Sequence, residues 1–304
     1  VDGGLGRSSV PFAFVPHHTH DGIDWSARLH AMRRYGSLQS EALSAVARRL
    51  VGLLPDSPVV MDVGCGAGSM SVPLVSALRD HGGGVLVLVD ATPELLDAAC
   101  TAARAEADGA VSVKPVLADL ASEDPLSFAG PVELVWGSRV IHHLPDQLRG
   151  VRRLVSALAP GGWLALAEGG LETRFLPWDL GVGEPGLADR MAAARAEWFV
   201  SMRENMTGSV RLPVGWNVAL ADAGLGEISA FSFLVDHPAP AKHLVREWAV
   251  DRLTWLSEVT SSRLHASDRD ALRRLLNPSD SEFVGAREDV FLLETDTVHL
   301  GRRR

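Results

Sequence analysis

The stretch VVMDVGCGAG, Val59 to Gly68, limits what this chain can fold into more than any other ten residues. Val59, Val60, Met61 and Val63 form a short apolar run suited to a strand buried in a parallel sheet. Asp62 interrupts it, and an acid there is unfavourable unless something compensates it. Gly64, Gly66 and Gly68 then alternate ahead of an amphipathic stretch carrying Met70, Val72, Leu74, Val75 and Leu78. The order is strand, tight glycine turn, helix. Glycine lets the backbone turn sharply and lets a ligand approach closer than a Cβ would permit. A dinucleotide site asks for G-x-G-x-x-G, with the pyrophosphate on the helix N-terminus. Here the spacing is G-x-G-x-G, and Ser69 stands where the third dinucleotide glycine belongs.

The segments downstream narrow the choice. Gly84 to Val89 reads as a second buried strand and ends in Asp90, a carboxylate placed to accept both hydroxyls of a ribose. That function serves any nucleoside cofactor. A third strand, Val111 to Leu117, runs into Ala118-Asp119-Leu120. A fourth, Val132 to Trp136, leads to Gly137-Ser138-Arg139 and then to Ile141-His142-His143-Leu144-Pro145-Asp146. Leu158-Ala159-Pro160-Gly161-Gly162 precedes a fifth strand, Trp163 to Ala167, which ends in Glu168.

As a set, DVGCGAG, Asp90, the ADL at 118–120, the VIHHLPD at 140–146 and the LAPGG at 158–162 resemble the class I S-adenosylmethionine-dependent methyltransferases. The resemblance covers roughly 59–168. Asp289 to Gly301 is similar to that family's last strand, which lies antiparallel in the sheet. The resemblance implies a Rossmann-like α/β fold: a seven-stranded, mostly parallel sheet with helices on both faces and helical cap insertions. It also implies S-adenosyl-L-methionine as cofactor and S-adenosyl-L-homocysteine as product. By the same resemblance Asp119 meets the adenine amino group, with Leu120 nearby, and N-terminal helices cover the cofactor as a lid. In general style the chain is similar to natural-product enzymes of actinobacterial type, including those that methylate indoles of tryptophan-derived cyclodipeptides.

The remaining organisation follows from periodicity and punctuation. Apolar spacing over 25–54 predicts helix, and Arg33-Arg34-Tyr35-Gly36-Ser37 predicts two helices meeting at a turn. Alternating strand and helix to about 168 demands a parallel sheet with right-handed crossovers, whose ligands bind at the carboxyl ends of the strands. Residues 171–186 are Gly/Pro-punctuated and read as a loop. Helices are expected over 187–206, 214–223, 240–258 and 267–276, with a strand at 227–235. This gives an N-terminal tail and lid (1–54), a cofactor core (55–170), and cap helices with the last two strands (171–304), all one domain. Five of the eight tryptophans (Trp178, Trp198, Trp216, Trp248 and Trp255) fall in the last region, which suggests an aromatic or otherwise apolar acceptor.

Composition excludes some functions. At 304 residues and 46% hydrophobic content the chain can bury a substantial core. A net charge of −9 without a basic run before Arg302-Arg303-Arg304 argues against nucleic acid or an anionic membrane as partner. Cys65 and Cys100 make no metal or disulfide pattern, so a reduced, cytoplasmic setting is expected. Neither a membrane span nor a signal peptide is visible. The opening VDGGLGRSSV lacks an initiator Met and reads as a truncation point or cloning scar with a disordered tail. The expected partner is a small molecule, and a homodimer is open.

Methyl transfer is a direct displacement at an already activated carbon, so the protein chiefly supplies proximity, alignment and exclusion of water. A sequence therefore shows the cofactor site better than the catalytic group. The expected cofactor positions are Asp62 (for the ammonium), Gly64, Cys65 and Gly66, Asp90, Ala91 (on the adenine edge), Asp119, Leu120, Gly137 and Ser138. Arg33 or Arg34 is expected at the cofactor carboxylate, against the alternative of a solvated helix face. His142 is the candidate base for a hydroxyl or indole N–H, and Glu168 a second catalytic candidate or only a turn cap. Trp178, Trp216 and His18 are candidates for substrate contact. His17, His18, His20 and Asp21 are dense enough to suggest a metal, but their stretch is too poorly preorganised, and none is expected. Two rival readings stand beside this one: an NAD(P)-dependent oxidoreductase, and a non-catalytic protein that keeps the fold as a binding scaffold.

Overall fold

The computed structural model describes residues 23–304. The opening segment and the His17–Asp21 cluster, His18 included, lie outside them. Seven strands, β1 (Val59–Val63), β2 (Gly84–Asp90), β3 (Val111–Leu117), β4 (Val132–Ser138), β5 (Leu158–Arg174), β6 (Leu225–His237) and β7 (Leu292–Arg303), form one sheet in the order β3-β2-β1-β4-β5-β7-β6. The first five are parallel, and β7 runs antiparallel to both β5 and β6. The expected reversed last strand is present. The order turns back between β1 and β4, where open α/β sheets bind their ligands.

Helices α1 (Leu29–Val51), α2 (Ser71–Asp80), α3 (Pro93–Glu106), α4 (Leu126–Ala129), α5 (Gln147–Ser156), α6 (Leu187–Asn205), α7 (Trp216–Asp222), α8 (His243–Thr260) and α9 (Ala266–Leu275) surround the sheet. One face packs on α1, α2 and α3 through Leu43, Leu50, Leu74, Leu78 and Ala99. The other packs on α5 and α7 through Val151, Leu154 and Leu220. A third apolar cluster joins α6, α8, α9 and Leu38 of α1 into the cap. Local signals explain the element ends: Pro93 opens α3 at its first turn, and the Asp146 carboxylate caps α5 by accepting the Arg149 N–H at 2.9 Å. No described helix is long and apolar enough to cross a membrane.

Two expectations need correction, both at glycines. No turn divides the first helix, for α1 runs unbroken through 33–37. Gly36 is buried against α2's leading turn, and a Cβ there would lie 2.2 Å from Ser69 Oγ. Its small size serves a close helix contact. Likewise 171–186 is not all loop, because β5 continues to Arg174 and pairs with β7 beyond Glu168. Gly170 permits this: its φ is +151°, and a Cβ would stand 2.0 Å from the Thr295 carbonyl oxygen.

Candidate active site

The glycine turn follows the carboxyl end of β1, on the β2 side of the reversal point. Cys65 N–H donates to Val89 O at 3.1 Å, which ties the turn to β2. Gly66 has φ +53° and faces Met32 of α1, whose Cε lies 2.8 Å from where a Cβ would be. Helix α1 therefore does lie over the turn. The Asp90 carboxylate reaches back to the same turn, accepting Gly66 N–H at 2.9 Å on Oδ2 and Thr92 N–H at 2.9 Å on Oδ1. Asp62 accepts from Ser71 Oγ at 2.7 Å. Burial pushes the Asp62 pKa up to about 7; the Ser71 bond opposes this and the Asp90 charge adds to it. Burial raises Asp90 as well, against the backbone donors of Thr92 and Gly66.

Two desolvated acids at one glycine turn fit a ligand that brings its own donors and positive charge. An ammonium near Asp62 and a pair of hydroxyls on Asp90 meet that description, since each Asp90 oxygen keeps lone-pair capacity beyond its backbone bond. Ala91 is exposed at the end of β2, and Gly137 packs between Val63 and Leu166 where β4 meets β1. Ser138 is half-buried one residue further along β4. Asp119 follows Ala118, whose N–H donates to Asp90 O at 3.0 Å; one Asp119 oxygen accepts Ala121 N–H at 2.9 Å. Leu120 is buried, and its carbonyl takes a 3.0 Å bond from Arg153.

On the other side of the reversal point, the structure joins the two catalytic candidates. His142 lies in a 3-10 turn, Ile141–His143, and its Nδ1 is 2.7 Å from Glu168 Oε2. The second oxygen of Glu168 accepts Val140 N–H at 2.9 Å and Ile141 N–H at 2.7 Å. Burial alone would raise Glu168; the ion pair and hydrogen bond with His142, with those two backbone donors, outweigh it and hold the carboxyl below its ordinary range. An ionised carboxylate only accepts, so Nδ1 donates to it, which makes Nε2 the ring nitrogen available for proton transfer. The ring lies against His143 (centroids 4.1 Å apart) and edge-on to Phe199 of α6 (5.6 Å). Arg203 of α6 holds the turn from below, donating to the carbonyls of His142 (2.9 Å), Leu144 (2.5 Å) and Pro145 (3.0 Å). Glu168 thus holds the His142 turn rather than capping the Gly169–Gly170 turn.

Two other candidates, Arg33 and Trp178, are not brought to this place. Arg33 is exposed and makes no ion pair among the described residues, because it points away from the Met32–Gly36 face of α1; Arg34 instead pairs with Asp251 and, at 3.5 Å, with Glu247 of α8. Trp178 is 68% exposed and accepts Gly186 N–H on its carbonyl at the start of α6. Thirteen residues of helix, about 20 Å, separate that end from Phe199. Trp216 opens α7, half-buried against the sheet flank with its ring 6.4 Å from His299.

A buried network escaped the sequence reading. Arg139, held at φ +55°, donates to Tyr35 Oη and Asp296 Oδ2 (2.8 and 2.7 Å) and to Glu294 Oε1. Tyr35 Oη donates to Glu294 Oε2 and accepts from Gln39 at 2.8 Å. It ties α1 to β7 and to the residue that links β4 with the His142 turn. The signal was there in β7: Leu292, Glu294, Asp296, Val298 and Leu300 alternate on the buried face, and two acids in such a row need cationic partners.

A reversal-point glycine turn, acids in β1 and at the end of β2 and a reversed last strand define a doubly wound α/β protein whose candidate site lies at the carboxyl ends of the strands. Residues 61–164 match the family model of a methyltransferase domain, in keeping with the resemblance to the class I S-adenosylmethionine-dependent methyltransferases. The 27-O-demethylrifamycin SV methyltransferase of Amycolatopsis mediterranei is 30% identical over 130 residues, 42% of this chain and 45% of its own length. The ubiquinone biosynthesis O-methyltransferase of a Caulobacter species is 30% identical over 145 residues, 46% of this chain and 54% of its own. The chain thus spans about half the length of these curated relatives. Among solved structures, phosphoethanolamine N-methyltransferase 2 of Haemonchus contortus, in complex with S-adenosyl-L-methionine, aligns with a TM-score of 0.46 at 16% identity, over 92% of this chain and 60% of that one.

Proposed function

We propose that the protein transfers a methyl group from S-adenosyl-L-methionine to a hydroxyl or ring N–H of a small aromatic acceptor of natural-product type. The observation that carries this reading is the His142–Glu168 pair, set across the sheet's reversal point from the glycine turn and its two buried acids. The cofactor supplies an activated methyl carbon. Asp62 holds its ammonium, Asp90 its ribose hydroxyls, and the exposed edge at Ala91 its base, while Asp119 and Leu120 flank the adenine. His142 Nε2 takes the acceptor's proton as the new bond forms, and the Glu168 carboxylate stabilises the imidazolium that results. Arg203 and the two backbone donors on Glu168 keep the ring aimed, which is how alignment enters the rate. Helix α1, lying on Gly66 through Met32, covers the cofactor and limits water.

Calorimetric titration with S-adenosyl-L-homocysteine, with NADH alongside, tests the cofactor half. Micromolar or tighter binding of the first alone is expected. Binding of NADH alone would establish the oxidoreductase rival, and binding of neither would overturn the cofactor assignment.

A further inference from the structure

Three arginines converge behind the His142 turn, and they are unequally served. Arg139 is saturated by Tyr35, Glu294 and Asp296. Arg195 of α6 and Arg252 of α8 share a single carboxylate, Glu172 of β5. Arg195 Nη2 is 2.5 Å from Glu172 Oε2, whereas Arg252 Nη2 stays 3.9 Å from Oε1. The Nε of each arginine is buried with no hydrogen-bond partner. Arg252 donates no hydrogen bond among the described residues, although its side chain is only 22% exposed. Burial and the neighbouring Arg195 charge lower the Arg252 pKa to about 10. The three arginines face three carboxylates, but two of the acids sit on Arg139, so the positive charge is in excess locally, at Arg195 and Arg252.

The surroundings are aromatic. The Arg252 guanidinium stands over the Trp255 ring at 4.7 Å, and Trp198 meets that ring edge-on at 5.8 Å. A guanidinium held at an aromatic ring can still offer its N–H groups to a planar acceptor. Arg195 lies one turn before Phe199 on α6, and Phe199 touches the His142 ring. The arginine pair therefore sits about 6 Å along the helix axis from the residue that packs on the base. The length of a small aromatic molecule spans that separation.

We propose that Arg195 and Arg252 form a subsite for a carboxylate carried by the acceptor, with Trp198 and Trp255 beside its ring, so that the substrate class is an aromatic carboxylic acid. This rests on the methyl-transfer reading for its meaning as a substrate site. Glu172, hydrogen-bonded to Arg195 and 3.9 Å from Arg252, shows that a carboxylate fits beside the pair and leaves the Arg252 fork to a second one. It competes with the incoming acid and keeps the pair from standing wholly unpaired without it.

The test compares indole-3-propionate with its neutral amide, indole-3-propionamide, by calorimetry on the whole protein, with and without saturating S-adenosyl-L-homocysteine. The acid should bind tenfold or more tightly than the amide, the scale of a charge-assisted bidentate contact. Arg195→Gln and Arg252→Gln should each bring the two ligands to within about threefold while leaving homocysteine-cofactor affinity unchanged. Glu172→Gln should move the other way and strengthen acid binding several-fold, which a purely structural ion pair would not do. Equal affinity for acid and amide, binding of neither, or an acid preference that survives both arginine substitutions would overturn the proposal. A protein that prefers the acid yet ignores S-adenosyl-L-homocysteine would keep the anion subsite and overturn the methyl-transfer reading instead.

Discussion

Around the glycine turn, the polar atoms come from two short segments, 62–71 and 90–92, and two of the three donors to the acids are backbone N–H groups. Around His142 they come from residues as far apart as Tyr35 and Asp296, and most of the partners are side chains on other elements. The first region is written locally and depends on little beyond the turn. The second is assembled only when α1, α6, α8 and β7 have all packed. A protein built this way keeps its cofactor edge fixed while the acceptor edge can change one side chain at a time. This agrees with a family match confined to 61–164, which leaves α1, α6, α8 and β7 outside.

If the division holds, substitutions on the two sides should separate cleanly. The largest effect is expected at the base. His142→Ala should lower turnover by about 10²–10⁴-fold, the range of general-base catalysis. Steady-state rates with any acceptor found in a screen would measure it; unchanged turnover would remove His142 from the chemistry.

Next in size is a stability effect at Asp62. Its pKa is 3.8 ordinarily and about 7 in the fold, so between those values the native state holds a proton that the unfolded chain has released. Stability contributed by that proton falls as pH rises through this window, by at most about 4 kcal/mol. Asp62→Asn, which can still accept from Ser71, should flatten the loss between pH 5 and pH 8 in urea melts without cofactor. An identical slope in variant and parent would show that Asp62 is ionised throughout.

A smaller effect is expected where α1 meets the turn. Gly36→Ala brings a Cβ within 2.2 Å of Ser69 Oγ and 2.9 Å of its Cβ, and overpacking of this kind costs about 1–3 kcal/mol. Ser69→Gly in the same protein should restore most of it. If Gly36→Ala stabilised the protein instead, as helix propensity alone would have it, the close contact between α1 and the turn would be wrong.

How far the sequence could be read follows the same division. The order of strands and helices was visible because each carries its own period, and Asp62 and Asp90 were visible because one interrupts and the other ends an apolar strand. Gly36 and Gly170 misled for one reason: glycine as a break and glycine as a contact look alike until the opposing atoms, Ser69 Oγ and Thr295 O, are known. Trp178 misled because a loop tryptophan carries no direction in its sequence. The Tyr35–Arg139–Glu294–Asp296 network was half legible, in the two acids on the buried face of β7. Its cation was not, for Arg139 lies 155 residues from Glu294 and only the antiparallel pairing of β7 on β5 brings them together. His142 and Glu168 were each visible as candidates, and their bond follows from β4 and β5 lying side by side.

The most direct test of the two-region account is the affinity of Asp90→Ala and His142→Ala for S-adenosyl-L-homocysteine, measured side by side by calorimetry. Asp90→Ala should weaken binding by about tenfold or more, the scale of a lost pair of charge-assisted hydrogen bonds, and His142→Ala should leave it within threefold of the parent. Equal losses in the two variants, or full affinity in Asp90→Ala, would contradict the separation of a cofactor edge from an acceptor edge.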